Sequence, residues 1–217
     1  MHAETIIFEP SDWVPNNPRL PVLIYRGLFG YGGPADFENR FVANGWTGIW
    51  TNGVFNYQHY HSGAHEVLGI AIGGATLLIG GPGGQALKVA AGDCLVLPAG
   101  TGHQNLGCTA DFQVVGAYPK GQHADIQTSA ASSEMLAKIS SVPLPHSDPV
   151  QGPSGFLTET WKQHTGCRRC LKACSIIPNS SNGSGPFNVF PGSCSRFFWR
   201  PACWVYLEEA ARFRGKH

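Results

Sequence analysis

Short apolar runs dominate the middle of the chain. Trp46–Trp50, Val67–Ile72, Ala75–Ile79, Ala86–Ala90, Cys94–Leu97 and Phe112–Ala117 follow one another, separated by Gly-Gly, Gly-Pro-Gly-Gly and Gly-Asp turns. Runs of strand length, punctuated this closely by turn residues, predict antiparallel hairpins that close into a barrel or a sandwich. Ahead of them, Val22–Arg26 reads as another strand, entered from the arm Trp13–Pro21. The prolines of that arm each remove a backbone donor and restrict the preceding residue, so it cannot be a helix interior. Two helices are expected. Ala35, Phe37, Phe41 and Val42 lay an amphipathic pattern on Pro34–Asn44, with a proline in its first turn and Asn44-Gly45 as its stop. Ala131–Ser140 carries Met135, Leu136 and Ile139 on one face before Pro143, Pro145 and Pro149 end it. Gly155–Trp161 is the last apolar segment that reads as packed.

Composition agrees with this pattern. With 28 Gly and 16 Pro in 217 residues the chain does not suit a helical bundle or a coiled coil, and 42% hydrophobic residues exclude wholesale disorder. The formal net charge of +1 conceals an asymmetry: 7 Lys/Arg face 12 Asp/Glu up to Gln163, and 8 face 2 beyond it. Five of the 7 cysteines also lie beyond it, at Cys167, Cys170, Cys174, Cys194 and Cys203. Cys94 and Cys108, in the acidic part, read most simply as small packed residues.

The chain thus divides into an arm and short helix over 1–45, a strand-rich body with its extension over 46–163, and a tail over 164–217. The tail is expected to be irregular and poorly ordered, or an atypical terminus from an altered reading frame or splice choice. Its Cys167-Arg-Arg-Cys170-Leu-Lys-Ala-Cys174 run has no complementary cysteine pair at zinc-site spacing. Its basic charge follows no recognisable motif and is attached to an acidic body, so no nucleic-acid partner is expected. The first ten residues lack the basic start and apolar core of a secretory signal. Val67–Gly81, cut by Gly69, Gly73 and Gly74, is too short to span a bilayer. A cytoplasmic protein with no membrane partner is the expectation. Gly80–Gly84 lacks the Gly-Lys-Ser/Thr ending of a phosphate loop and reads as a hairpin turn.

Histidine carries the chemistry. In a strand His59 and His61 point to the same face, so both imidazoles reach one point. Ser62-Gly63-Ala64 supplies a turn that returns Glu66 toward that point, and Pro98-Ala99-Gly100-Thr101-Gly102 turns the chain to present His103. Three imidazoles and one carboxylate make a good site for one divalent transition metal, among iron, manganese, nickel and zinc. His65 neighbours Glu66 in the strand and so faces away from it, into a packing or supporting role. Tyr60 and His65 are the candidates for handling protons. Tyr57 and Gln58 read as core or rim, Asp93 as a turn residue, and Gln104 and Asn105 as partners for backbone groups.

Two segments resemble the paired motifs of the cupin superfamily. The first, G-x5-H-x-H-x4-E-x6-G, is matched by Gly53, His59, His61, Glu66 and Gly73. The second, G-x5-P-x-G-x2-H-x3-N, is matched by Gly92, Pro98, Gly100 and His103, with Gly107 in place of the final Asn. Wider wording extends the likeness over roughly 4–162: Val14-Pro15-Asn16-Asn17-Pro18, Leu97-Pro98-Ala99-Gly100-Thr101-Gly102-His103, Val115-Gly116-Ala117-Tyr118-Pro119 and Asp148-Pro149-Val150. In these it is similar to the small YjlB-like cupins. The resemblance implies an all-β, double-stranded β-helix (RmlC-like jelly-roll) barrel with short flanking helices and the metal inside its mouth. It also implies a homodimer built by exchanging N-terminal segments, for which the proline-rich arm is suited. The expected function is a metal-dependent enzyme on a small molecule, of dioxygenase, decarboxylase or isomerase type. The alternative is a barrel that binds a small molecule or a metal without catalysis.

Overall fold

The structure, a computed structural model, describes residues 2–28 and 33–166. In chain order its elements are β1 His2–Ile6, β2 Val22–Arg26, α1 Pro34–Ala43, β3 Trp46–Asn52, β4 Glu66–Ile72, β5 Gly74–Ile79, β6 Gln85–Ala90, β7 Cys94–Leu97, β8 His103–Cys108, β9 Gln113–Pro119, α2 Ser133–Ser141 and α3 Phe156–Gly166. All six apolar runs of the central region form strands. β1 and β8 carry no such run and were not expected, and Gly155–Trp161 opens into the helix α3. The tail expected over 164–217 lies outside the described residues from 167 onward; residues 164–166 continue α3.

The strands form two antiparallel sheets, one in the order β1-β2-β7-β4-β9-β3 and the other β6-β5-β8. Facing each other, they have the layout of a jelly roll whose sheets do not close into one ladder. The inner layer of core joins Ile24, Leu68, Leu95 and Val114 of the large sheet to Leu77, Ile79, Leu87 and Val89 of the small one. A second core lies on the outer face of the large sheet, where Leu23, Val67, Val96 and Val115 pack with Phe37 and Phe41 of α1 and Leu157 and Trp161 of α3. Burial on both faces accounts for the unbroken apolar runs of β4 and β7, whereas along β5 buried and half-buried positions alternate.

Glycines set two close approaches that matter for the site. Trp50 of β3 lies opposite Gly116 of β9, and a Cβ at Gly116 would fall 2.0 Å from the indole. Gly100, at φ +90°, lets the turn after β7 come against the Asn16 carbonyl, which a Cβ would meet at 2.6 Å. No helix among the described residues is long and apolar enough to cross a membrane.

Two sequence expectations need correction. α2 touches the body along one line, with Ile139 packed on Tyr60 and Ala99 and Met135 Sδ 4.0 Å from the Tyr60 hydroxyl. Leu136 is turned outward and 49% exposed, because a short helix resting on a small cluster buries only its i, i+4 stripe. Cys94 is buried in β7, but Cys108, at the end of β8, is exposed.

One buried acid ties the outer helix to the sheet. Asp148 accepts hydrogen bonds from the Tyr25 hydroxyl at 2.6 Å and from the backbone N–H groups of Val150, Gln151 and Leu157 at 2.7–3.0 Å. The Leu157 contact satisfies an otherwise unpaired donor in the first turn of α3. Asp148→Ala strands the phenol and three N–H groups at about 1–3 kcal/mol each before relaxation. It is therefore expected to lower the unfolding free energy by about 3 kcal/mol or more, while Lys162→Ala on the exposed side of α3 changes it by less than about 0.5. Urea unfolding midpoints of the two variants check this.

Candidate metal centre

Residues 59–61 run extended beside the turn that leads into β8. His59 and His103 exchange backbone hydrogen bonds of 3.2 and 2.8 Å, and the Gly100 N–H donates to the His61 carbonyl at 2.8 Å. Alternation then sends His59 and His61 inward and Tyr60 outward. Tyr60 is fully buried in the cluster with Ala99 and Ile139, its hydroxyl donating to the Ser129 carbonyl at 3.0 Å. Glu66 enters from the first position of β4, paired with Leu97.

Three imidazoles meet at this point. His59, His61 and His103 each offer a ring nitrogen, and these atoms lie within 4.8 Å of one another, so the triad could hold a metal ion. Their other nitrogens are all occupied by carbonyls: His59 Nδ1 by Tyr57 at 3.1 Å, His61 Nδ1 by Asp125 at 2.5 Å and His103 Nδ1 by Thr101 at 3.2 Å. A carbonyl oxygen only accepts, so each Nδ1 carries a proton and Nε2 is the atom that each ring turns inward, free to coordinate whenever that ring is neutral. Glu66 Oε2 lies 3.3 Å from Nε2 of both His61 and His103. The four residues expected from the sequence are thus brought together.

The two proton-handling candidates are not. His65 accepts a hydrogen bond from the Ala99 N–H through Nδ1 at 2.9 Å, and its ring lies 4.8 Å from that of Trp161 in α3, in the outer core. Neither it nor Tyr60 lines the cavity above the imidazoles. That cavity, of about 330 Å³, is instead reached by Tyr118, from the end of β9. The Trp50 indole N–H donates to the Tyr118 oxygen at 3.0 Å, which leaves the phenolic hydrogen free to donate toward Glu66. Sequence spacing gives no sign of this pair, because Trp50 and Tyr118 meet only through the register of β3 on β9. Asp125 is a second residue missed. Its carboxylate accepts from the Ser62 N–H at 2.8 Å, the Ser62 hydroxyl at 2.5 Å and the Gly63 N–H at 3.0 Å, and so holds its own carbonyl against His61.

Burial and charge set the protonation of the cluster. Burial pushes His59 down to about 3, and neighbouring His103 adds to the effect. Burial also acts to lower His61, but the Glu66 carboxylate beside it wins and lifts it to about 9. Glu66, which burial alone would raise, is held well below the usual carboxylate range by His61 and His103. Burial and the Glu66 charge push the Tyr118 phenol up, so it stays protonated at neutral pH. Without a metal, the centre is a carboxylate bridged by a protonated His61.

No family model matches the chain. It is 36% identical over 161 residues, 73% of its length, to the uncharacterized protein YjlB of Bacillus subtilis (strain 168), and the match spans 96% of that protein. Among solved structures it is similar to an acireductone dioxygenase from Bacillus anthracis with a cadmium ion in its active center, at 18% identity and TM-score 0.29 over 42% of this chain and 58% of that one. It is also similar to a single-residue variant of Bacillus subtilis oxalate decarboxylase, at 22% identity and TM-score 0.29 over 50% of this chain and 27% of that one. The chain therefore spans less than two thirds of either enzyme.

Stability should follow pH through these histidines. His61, raised to about 9 in the folded state, contributes fully below about pH 6.5 and loses that contribution as pH climbs through 9. His59 and His65, both pushed down to about 3, stay neutral when folded while the unfolded chain takes up their protons below about pH 6.5. Chelator-treated protein is thus expected to be most stable near pH 6.5 and to weaken toward both about 5 and about 8.5, by at most about 1.4 kcal/mol per pH unit for each group. Urea titrations at the three pH values measure it, and a flat profile would refute the assignment.

Proposed function

The chain belongs to the YjlB-like family of small cupins, and from that premise we propose that it is a metal-dependent enzyme acting on a small oxygen-bearing molecule. His59, His61, His103 and Glu66 hold one divalent transition metal in this reading. The observation that carries it is the common lock on the three rings: each Nδ1 proton is committed to a backbone carbonyl, leaving Nε2 of all three rings aimed at one point beside a carboxylate, where a cation takes the place of the His61 proton. Neutral nitrogen donors with one carboxylate suit iron, manganese, nickel or zinc. When bound, such an ion supplies Lewis acidity and open positions on which a substrate oxygen can be polarised.

The remaining residues have separable tasks. Glu66 contributes the single negative charge. Trp50 orients the Tyr118 phenol, and Tyr118 holds a proton next to the reacting space. Proton delivery at that point serves a dioxygenase, a decarboxylase or an isomerase alike. It also favours an enzyme over a barrel that only stores or binds, for which a protonated group positioned beyond the ligands has no use.

Protein produced with iron, manganese, nickel and zinc available is expected to carry about one ion per chain at this centre by elemental analysis, since one such donor set is present among the described residues. His61→Ala should lose it and His65→Ala should keep it; metal-free wild-type protein would sink the proposal. Tyr118→Phe should retain the metal and slow turnover by about a hundredfold. A panel of small acids, diols and thiols, followed by oxygen uptake and by product analysis, finds the reaction in which to measure that effect.

A further inference from the structure

The walls of the same cavity restrict what it can accept, on the reading that His59, His61, His103 and Glu66 hold a divalent ion. Away from the four polar residues of the candidate centre, Trp50, Val54, Phe55, Leu68, Ala124 and Ile126 line it with Tyr118 and the uncharged Thr51 and Asn52, and no lysine or arginine lines it among the described residues. The mouth continues the apolar surface outward. Phe55 and Tyr57 are stacked with ring centroids 4.8 Å apart and stand 45% and 42% exposed, and Ile126 is 52% exposed. Large apolar side chains left in water around an opening mark a surface shaped for an apolar ligand.

Charge narrows the class further. The three histidines are neutral donors, so a divalent ion with the one carboxylate of Glu66 leaves a single positive charge in the cavity. One anionic oxygen on the ligand cancels it. A second carboxylate would be desolvated among mainly apolar walls with no cationic side chain to pair with, which is costly in a medium of low dielectric. The cavity volume of about 330 Å³ corresponds to about ten waters at about 30 Å³ each, enough for one substituted ring.

We infer that the substrate carries one acidic oxygen, as in a monocarboxylate, phenol or enol, on an uncharged apolar body of about one ring, and that the cavity rejects dianions. Tyr118, with its proton directed to the Glu66 side, faces the polar end of such a molecule, and Phe55 and Ile126 face its body.

A pair of probes isolates the charge. 4-Nitrobenzoate and terephthalate have nearly the same outline, since nitro and carboxylate groups are isosteric, but differ by one negative charge. Calorimetric titration of the zinc-loaded full chain is expected to show 4-nitrobenzoate binding about tenfold or more tighter. Ile126→Arg, an exposed position at the mouth, should narrow that gap by improving terephthalate binding while zinc content stays the same. Terephthalate binding equal to or tighter than 4-nitrobenzoate, failure of both probes to bind the zinc-loaded protein, or a gap unmoved by Ile126→Arg each overturns the inference alone. A protein that takes up no zinc or other metal overturns the functional reading and this inference with it, and elemental analysis before the titration tells the two apart.

Discussion

A carboxylate 3% exposed between two packed sheets is the constraint around which this molecule is arranged. Left alone, Glu66 would either take a proton or destabilise the fold by several kcal/mol. The protonated His61 at 3.3 Å and the phenol of Tyr118 compensate it, and each of these is held in turn. His61 depends on the Asp125 carbonyl, and Asp125 on the Ser62-Gly63 turn. Tyr118 depends on Trp50, and Trp50 on the missing side chain of Gly116. Two short chains of dependence therefore run from one charge out to the loops and to the β3–β9 pair.

The same arrangement gives the metal-free centre two roles in one geometry. A proton on His61 and a divalent cation compete for the same electrostatic position, because both neutralise Glu66. The centre is thus preorganised for a cation whether or not one is present. Ring orientation is settled by backbone carbonyls and does not await the metal, so little reorganisation accompanies loading.

Much of this could be read from the chain, for reasons that differ by element. The candidate ligands were legible because they sit in local patterns: alternation puts His59 and His61 together whatever the strand pairs with, and glycine and proline punctuation brings Glu66 and His103 back. The apolar runs were legible because β4 and β7 are covered on both faces. β8, with His103-Gln104-Asn105-Leu106-Gly107-Cys108, shows neither a run nor an alternation, since its far end lies in solvent at the edge of the small sheet. Tyr118 and Asp125 were out of reach for a different reason. Their roles depend on cross-strand register and on a loop folding over the Ser62 turn, 68 residues from Trp50 in one case and 63 from Ser62 in the other, and no spacing rule encodes either.

The position of the centre between the sheets has a mechanical consequence. Glu66 belongs to β4 of the large sheet and His103 to β8 of the small one, while His59 and His61 lie on the extended segment that bridges them. The large sheet is stiffened from outside: α1 packs Phe37 across Gly69, and α3 is tied down by Asp148 and by Trp161 against His65, the neighbour of Glu66. Among the described residues the small sheet has no such helix behind it, and β6 leaves alternate side chains exposed. A candidate ligand set drawn from both sheets therefore links the less supported layer to the better supported one, at the end of the sandwich where His59 and His103 exchange backbone hydrogen bonds. Substitutions that loosen α3 act on the centre through this route, by moving β4 and with it the carboxylate that His61, His103 and Tyr118 meet.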